Sequence, residues 1–125
     1  MSTLGKRVPR TRAGNRWTES RYFGFLRSGL RKMSMRYPVK QDALVLARRD
    51  KPKGAAGKHR YEYQCAACNN WFKGTEVSVD HIEPAGSLKS FDDLPGFVER
   101  LFCEVDNLQV LCHDCHQDKT NEERT

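Results

Sequence analysis

Long apolar runs are missing from this 125-residue sequence. No stretch approaches the roughly 20 apolar residues that a membrane-spanning helix needs. Residues 1–16 also lack the apolar core of a secretion signal. Apolar residues make up 38% of the chain and charged residues 30%. We therefore expect a single small domain that neither enters a membrane nor is secreted, and that acts in the cytoplasm.

Acidic residues are scarce in the first half of the chain. Residues 1–60 contain 17 Lys and Arg but only three acids, a net charge of +14. Residues 61–125 contain 5 basic and 13 acidic residues, a net charge of −8. This asymmetry predicts a segment that grips a polyanion beside a segment that binds cations. The alternative is a solvated basic tail that contacts no polyanion.

Cysteine is absent from the first half, and five cysteines occur in the second. An odd number of cysteines without a secretion signal argues against a disulfide framework. Cys65 and Cys68 form one Cys-x-x-Cys pair, and Cys112 and Cys115 form another. Two such pairs can supply the four thiolates of a tetrahedral zinc site. We therefore predict structural Zn²⁺ at these four residues and a buried, non-ligating Cys103.

The first half is predicted to be mainly helical after a disordered basic arm at residues 1–16. Thr18 suits the N-cap of a first helix, in which apolar side chains recur at helical spacing. These are Tyr22, Phe23, Leu26, Leu30 and Met33. A second helix is expected over about residues 39–49. The polar segment at residues 48–60 predicts a flexible linker. With this linker, residues 17–60 make up the basic region that is expected to bind the polyanion.

Residues 61–125 are predicted to form a small α+β module. Strands are expected at residues 61–64, 71–72, 77–82 and 108–111, and helical segments at residues 90–102 and 112–123. Asp80 and His81 then lie side by side at the end of one strand. Asn107 precedes the last strand, and His116 directly follows Cys115.

Asp80, His81 and His116 carry the groups that metal-assisted hydrolysis needs. A carboxylate and a neutral imidazole can hold one divalent ion and leave coordination positions open. A second imidazole can take a proton from water near neutral pH. Each residue alone has an ordinary explanation, as a strand-end polar pair or an alternative zinc ligand. Together they supply the metal and the base that phosphodiester hydrolysis requires.

The order of these residues resembles the HNH nuclease family. The segments VDHIEP (residues 79–84) and NLQVLCHDCHQDKT (residues 107–120) carry the resemblance, which is strongest to zinc-stabilised members encoded by bacteriophages. It implies a ββα-metal finger with His81 as general base. It also implies that Asp80 and His116 bind one catalytic divalent cation, which is Mg²⁺, Mn²⁺, Ni²⁺ or Zn²⁺. Asn107 would hold the loop that orients His81.

The implied activity is endonucleolytic cleavage of double-stranded DNA by a monomer, leaving 5′-phosphate and 3′-hydroxyl ends. Residues 86–106 are a departure from the family, because they lengthen the stretch between base and Asn107. Terminase and other phage packaging proteins become candidate partners, and the host cytoplasm the expected location. The alternative is a non-catalytic zinc module that binds nucleic acid or a partner protein. Asp80, His81 and His116 favour the nuclease, since a zinc ribbon needs none of them.

Basic side chains of the first half are the predicted DNA contacts. Such contacts neutralise phosphates and supply affinity with little sequence information. The candidates are Arg12, Arg16, Arg27, Arg31, Lys32, Arg48, Arg49, Lys51, Lys53, Lys58 and Arg60.

Overall fold

The computed structural model describes residues 7–124 and, over this range, contains four α-helices and three small antiparallel sheets. The helices are α1 (Glu19–Ser34), α2 (Pro38–Ala47), α3 (Leu94–Leu101) and α4 (His113–Arg124). The strands are β1 (Arg10–Arg12), β2 (Trp17–Thr18), β3 (Arg48–Asp50), β4 (Tyr61–Gln64), β5 (Trp71–Lys73), β6 (Val77–His81) and β7 (Leu108–Cys112). The predicted α+β class is confirmed. None of the helices in the described range has the length and apolar content to cross a bilayer.

Each sheet is built from antiparallel neighbours. β1 pairs with β2, β3 and β5 flank β4, and β6 pairs with β7. In the β6–β7 pair, Asp80 lies opposite Gln109 and His81 opposite Leu108. Asp80 and His81 are the last two residues of β6, and this strand end lies beside the start of β7.

α1 begins where the sequence predicts. The Thr18 hydroxyl accepts a hydrogen bond from the amide of Arg21 at 3.1 Å and so caps the helix. Phe23 is buried, and three of its predicted partners (Tyr22, Leu26 and Leu30) pack against the same cluster. Met33, which shares the same helical spacing, does not join this cluster and is 47% exposed. Ser34 is the buried residue of that last turn, and its hydroxyl donates to the Arg31 carbonyl.

Residues 10–18 form a hairpin where the sequence predicted disorder, whereas residues 1–6 of the predicted arm lie outside the described residues. The Arg12 side chain anchors this hairpin to α1. Its Nε atom lies 2.8 Å from Glu19 Oε1, and its guanidinium lies 4.6 Å from the ring centre of Tyr22. Both partners of Arg12 belong to α1. The low apolar content of the arm, on which the prediction of disorder rested, therefore gives no sign of these contacts.

Residues 51–60 form the loop of a strand pair instead of a flexible linker. β3 and β4 pair in register, with Arg48 opposite Tyr63 and Asp50 opposite Tyr61. The loop itself is polar, as predicted, but both of its ends are held by the sheet. The predicted boundary at residue 60 therefore does not separate two folding units.

The apolar core also joins the two halves of the chain. Phe23 of α1 packs with Phe97 and Leu101 of α3. In a second cluster, Ala43 of α2 packs with Leu108 and with Cys103, which is buried as predicted. The first half is thus part of the same folded body as the cysteine-bearing half.

α3 is shorter than the predicted helical segment at residues 90–102. A single 3₁₀ turn, Phe91–Asp93, precedes it. Pro95 does not interrupt α3, because it lies in the first turn, where its missing N–H group leaves no helical hydrogen bond unmade. The short helix places Leu101 and its carbonyl beside β6.

Replacing Phe97 with alanine should test the shared core. Phe97 is 0% exposed, so Phe97→Ala should lower the free energy of unfolding by about 3–5 kcal/mol, measured by denaturant titration. Phe25→Ala is the matched control, since Phe25 is 61% exposed and its loss should cost below about 1 kcal/mol. Equal losses in the two variants would contradict this description of the core.

Candidate functional site

Four cysteine side chains meet at one point. The Sγ atoms of Cys65, Cys68, Cys112 and Cys115 all lie within 4.8 Å of one another, and Cys68 Sγ is 4.0 Å from Cys112 Sγ. A tetrahedral zinc ion with Zn–S bonds of about 2.3 Å separates its sulfur ligands by about 3.8 Å. The four cysteines can therefore hold a metal such as zinc, as the two Cys-x-x-Cys pairs predict.

A tight turn forms the first cysteine pair. The amide of Asn69 donates to the carbonyl of Cys65 at 2.9 Å, and the Cys65 amide donates to Asn70 at 3.0 Å. Asn69 adopts a φ of +64°, which asparagine tolerates better than most residues. The amide of Ala66 donates to the carbonyl of Val110 at 2.8 Å. This last bond ties the turn to β7, which leads directly into the second pair.

The electrostatics of the cluster favour a bound cation. Burial raises the pKa of the Cys65 thiol, but the amides of Cys68, Cys112 and Ala67 donate to its sulfur and lower the pKa to about 6. The pKa of Cys115 is raised by its hydrogen bond with Cys112, by burial and by the neighbouring Cys65 charge. Without a cation, the negative charge on one thiolate opposes ionisation of the neighbouring thiols. A divalent cation removes this repulsion and stabilises all four thiolates together.

Asp80 and His116 form a second pair of donor groups. Oδ1 of Asp80 lies 3.6 Å from Nε2 of His116. β6 carries Asp80, and His116 lies in the first turn of α4, directly after Cys115. A cation with ligand distances of about 2.1 Å can contact both atoms at this separation. The structure thus brings together the two residues that the sequence predicted as ligands of a divalent ion.

The second carboxylate oxygen of Asp80 is held by protein groups. Gln109 Nε2 donates to Oδ2 at 3.0 Å, and Lys119 Nζ lies 3.0 Å from the same atom. Both donors contact Oδ2, so Oδ1 is left facing His116. The sequence alone predicted no role at the site for Gln109 or Lys119. The strand register places Gln109 opposite Asp80, and Lys119 follows His116 by three residues on α4, so helical spacing was the available signal.

Lys119 also links Asp80 and His81, the last two residues of β6. Its Nζ donates to the carbonyl of His81 at 2.8 Å and to Oε2 of Glu123 at 2.8 Å. Burial alone would lower the pKa of Lys119, but the hydrogen bonds to Glu123 and Asp80 outweigh it and raise the pKa. Lys119 therefore remains charged and fixes Asp80 relative to the backbone of His81.

The imidazole of His81 is held by α3. Its Nε2 atom lies 2.9 Å from the carbonyl oxygen of Leu101. A carbonyl oxygen only accepts hydrogen bonds, so Nε2 carries the hydrogen. In the neutral ring the other nitrogen, Nδ1, then has a lone pair that can accept a proton. The contact fixes both the tautomer and the orientation of the ring.

Asn107 holds the loop that follows His81. Its Oδ1 accepts a hydrogen bond from the Glu83 amide at 2.8 Å, and its Nδ2 donates to the Glu83 carbonyl at 3.2 Å. The Asn107 carbonyl accepts from the amide of Ile82 at 2.8 Å. These three bonds place Asn107 where the sequence resemblance placed it, against the backbone directly after His81.

Asp80, His81 and His116 open into a cavity of about 490 Å³, which is also lined by Arg27 and Arg31 of α1. A neighbouring cavity of about 280 Å³ shares these three residues and Arg31. Its remaining cations are Lys32 and Lys40. Of the predicted DNA contacts, Arg27, Arg31 and Lys32 therefore lie at the site, and Lys40 is a cation that the sequence analysis missed.

Several other predicted DNA contacts have partners within the protein. Arg12 pairs with Glu19, and Lys51 donates to the carbonyl of Gly57. Arg49 pairs with Glu62 at 3.0 Å and lies 3.9 Å from the ring centre of Trp71. Arg48 and Arg60 both lie over the ring of Tyr61, at 4.0 and 5.1 Å. Together with Arg16, Lys53 and Lys58, these residues line neither cavity.

Comparisons with protein-family models, with curated proteins and with solved structures give no significant match to this chain.

Removing a zinc ligand should unfold the cysteine-bearing part of the chain. Cys68→Ser and Cys115→Ser should each lose stoichiometric zinc and native circular dichroism, because a structural zinc contributes on the order of 10 kcal/mol to folding. Cys103→Ala is the matched control, since Cys103 is buried outside the cluster. It should keep its zinc, measured by metal analysis of purified protein. A native spectrum for Cys68→Ser without metal would contradict the structural site.

Proposed function

We propose that this protein is a metal-dependent endonuclease of the HNH type that hydrolyses phosphodiester bonds in double-stranded DNA. In this proposal, β6, β7 and α4 form the ββα unit. One observation carries the proposal. His81, whose Nε2 is held by the Leu101 carbonyl, lines the same cavity as the Asp80–His116 pair, and two arginines without a carboxylate partner among residues 7–124 line it as well.

His81 acts as the general base. Its Nδ1 takes a proton from the attacking water, and the ring becomes an imidazolium. The carbonyl of Leu101, which already accepts from Nε2 at 2.9 Å, then stabilises the positive charge without any movement of the ring. Asn107 holds the backbone after His81 in place. The Leu101 carbonyl thus fixes the imidazole ring, and Asn107 fixes the loop that follows it.

Asp80 and His116 are the proposed ligands of the catalytic divalent ion. When bound, such an ion supplies positive charge at the phosphate and at the departing 3′ oxygen. Gln109 and Lys119 hold Oδ2 of Asp80 and leave Oδ1 as the ligand atom. Carboxylate and imidazole donors accept Mg²⁺, Mn²⁺, Ni²⁺ or Zn²⁺. The proposed products carry 5′-phosphate and 3′-hydroxyl ends, as the family resemblance implies.

The competing function is a non-catalytic zinc module that binds nucleic acid or a partner protein. Such a module accounts for the four cysteines and for the basic first half. It gives no reason for an oriented imidazole beside an Asp–His pair. The resemblance to phage enzymes adds two further proposals, action in the host cytoplasm and assistance to terminase or another packaging protein.

Substitution of His81 tests the proposed base. Purified wild-type protein should cut supercoiled plasmid in a series of divalent metals, and His81→Ala should lower the rate by roughly 10²–10⁴. His113→Ala is the matched control, because His113 is exposed and follows Cys112 outside the cavity. It should cleave at the wild-type rate. Cleavage by His81→Ala at that rate would reject the assignment.

Loss of either proposed ligand should have a different signature. Asp80→Ala and His116→Ala should each weaken binding of the divalent ion, so that cleavage recovers in part at higher metal concentration. His81→Ala should show no such recovery, because the ion cannot replace the base. Titration of the rate against metal concentration distinguishes the two patterns. An unchanged metal requirement in both ligand variants would exclude them as ligands.

A further inference from the structure

α1 and α2 place three cations beside the proposed nuclease site. Arg27 lines the larger cavity, Lys40 lines the smaller one, and Arg31 lines both. Arg27 and Arg31 are four residues apart on α1, so they lie one above the other on the same side of the helix. Arg31 is thus the middle member of a row that passes the pair of Asp80 and His116.

These three cations have no carboxylate partner among residues 7–124. Other cations of the protein do, as Arg12 pairs with Glu19 and Lys119 with Asp80. Burial lowers the pKa of Arg31, and repulsion from Arg27 lowers it further. Burial and then repulsion from Arg31 act in the same direction on the pKa of Lys40.

Arg27 and Lys40 are half-buried and Arg31 is exposed, so solvent reaches all three cations, and an anion that enters the cavities can contact them and relieve their mutual repulsion. The two carboxylates that line these cavities, Asp80 and Glu123, are both bound to Lys119, so neither pairs with the three cations. A strand of DNA supplies successive phosphates at a separation comparable to the 5–6 Å between neighbouring positions on a helix face. Phosphate oxygens also match the guanidinium fork of arginine.

We infer that Arg27, Arg31 and Lys40 form a track for consecutive phosphates of the strand that is cut, with Arg31 at the phosphate that reacts. The inference rests on the proposed function, and it assigns the three cations different tasks. Arg31 shares both cavities with Asp80, His81 and His116, so it stabilises the charge that develops on the reacting phosphate. Arg27 and Lys40 hold the neighbouring phosphates and fix the position of the strand.

The track predicts a measurable change in salt dependence. Binding of a short duplex to His81→Ala protein, purified with its structural zinc and with no other divalent ion added, should be titrated over salt concentration. Adding Arg27→Gln, Arg31→Gln or Lys40→Gln should each reduce the slope of log affinity against log salt by about 0.9. The matched control is Arg21→Gln, an exposed cation of the same helix that is rotated by about 120° from Arg27. It should reduce the slope by less than half as much.

The kinetic experiment separates Arg31 from its neighbours. In the background with His81 intact, Arg31→Gln should lower kcat at least tenfold, and Arg31→Lys should recover part of the loss. Arg27→Gln and Lys40→Gln should raise KM and leave kcat nearly unchanged, because they remove contacts made equally before and during the reaction.

Two results would overturn the inference while leaving the nuclease intact. One is equal salt slopes for the three cavity variants and Arg21→Gln, and the other is a wild-type kcat for Arg31→Gln. Failure of the wild-type protein to cut DNA with any divalent metal would overturn the proposed function and the reactive role of Arg31. The salt slopes, measured without an added divalent ion, would then still support or reject the phosphate track.

Discussion

The convergence of two cysteine pairs constrains the rest of the candidate site. Cys68 and Cys112 are 44 positions apart in the chain, yet their sulfur atoms approach to 4.0 Å. The cluster fixes the end of β4 against the junction of β7 and α4. His116 directly follows Cys115 in the first turn of α4, and β7 carries Gln109 opposite Asp80. The geometry around the Asp80 carboxylate therefore depends on the position of the four cysteines.

The first half of the chain has a structural task as well as a charge. Phe23 of α1 packs with Phe97 of α3, and α3 in turn presents the Leu101 carbonyl to His81. α1 also supplies Arg27 and Arg31 to the cavity wall. The same helix thus supports the residue that orients the imidazole and brings cations to the site. A basic tail that was merely attached to the cysteine-bearing part would do neither.

Local patterns predicted most of what is local in this structure. The cap at Thr18 and each separate Cys-x-x-Cys pair involve residues within a few positions of one another, so the sequence reveals them directly. The anchoring of Arg12 and the strand pairing around residues 51–60 depend on partners from distant elements. Composition suggests disorder for both segments, because tertiary contacts supply the stability that their own residues lack.

The same distinction applies to the site. Asp80, His81, Asn107 and His116 are brought together as the sequence indicated, since Asp80 and His81 end β6, Asn107 directly precedes β7, and His116 lies in the first turn of α4. Their supporting partners were missed. The sequence around Lys40 does not indicate that this residue lines the smaller cavity. Its position there depends on how α2 packs against β6 and β7. The role of Lys119 required knowledge of both the helix face and the register of the sheet.

The order of the four cysteines along the chain has a consequence during synthesis. At about 5–20 residues per second, a ribosome needs about 2–9 s to extend the nascent chain from Cys68 to Cys112. Throughout that interval the first cysteine pair is half of a site, with two thiols and no partners. α4, and His116 with it, can be held in place only after the second pair has emerged. The four-cysteine cluster, and the arrangement of Asp80 and His116 that depends on it, can therefore form only after the second pair has been synthesised.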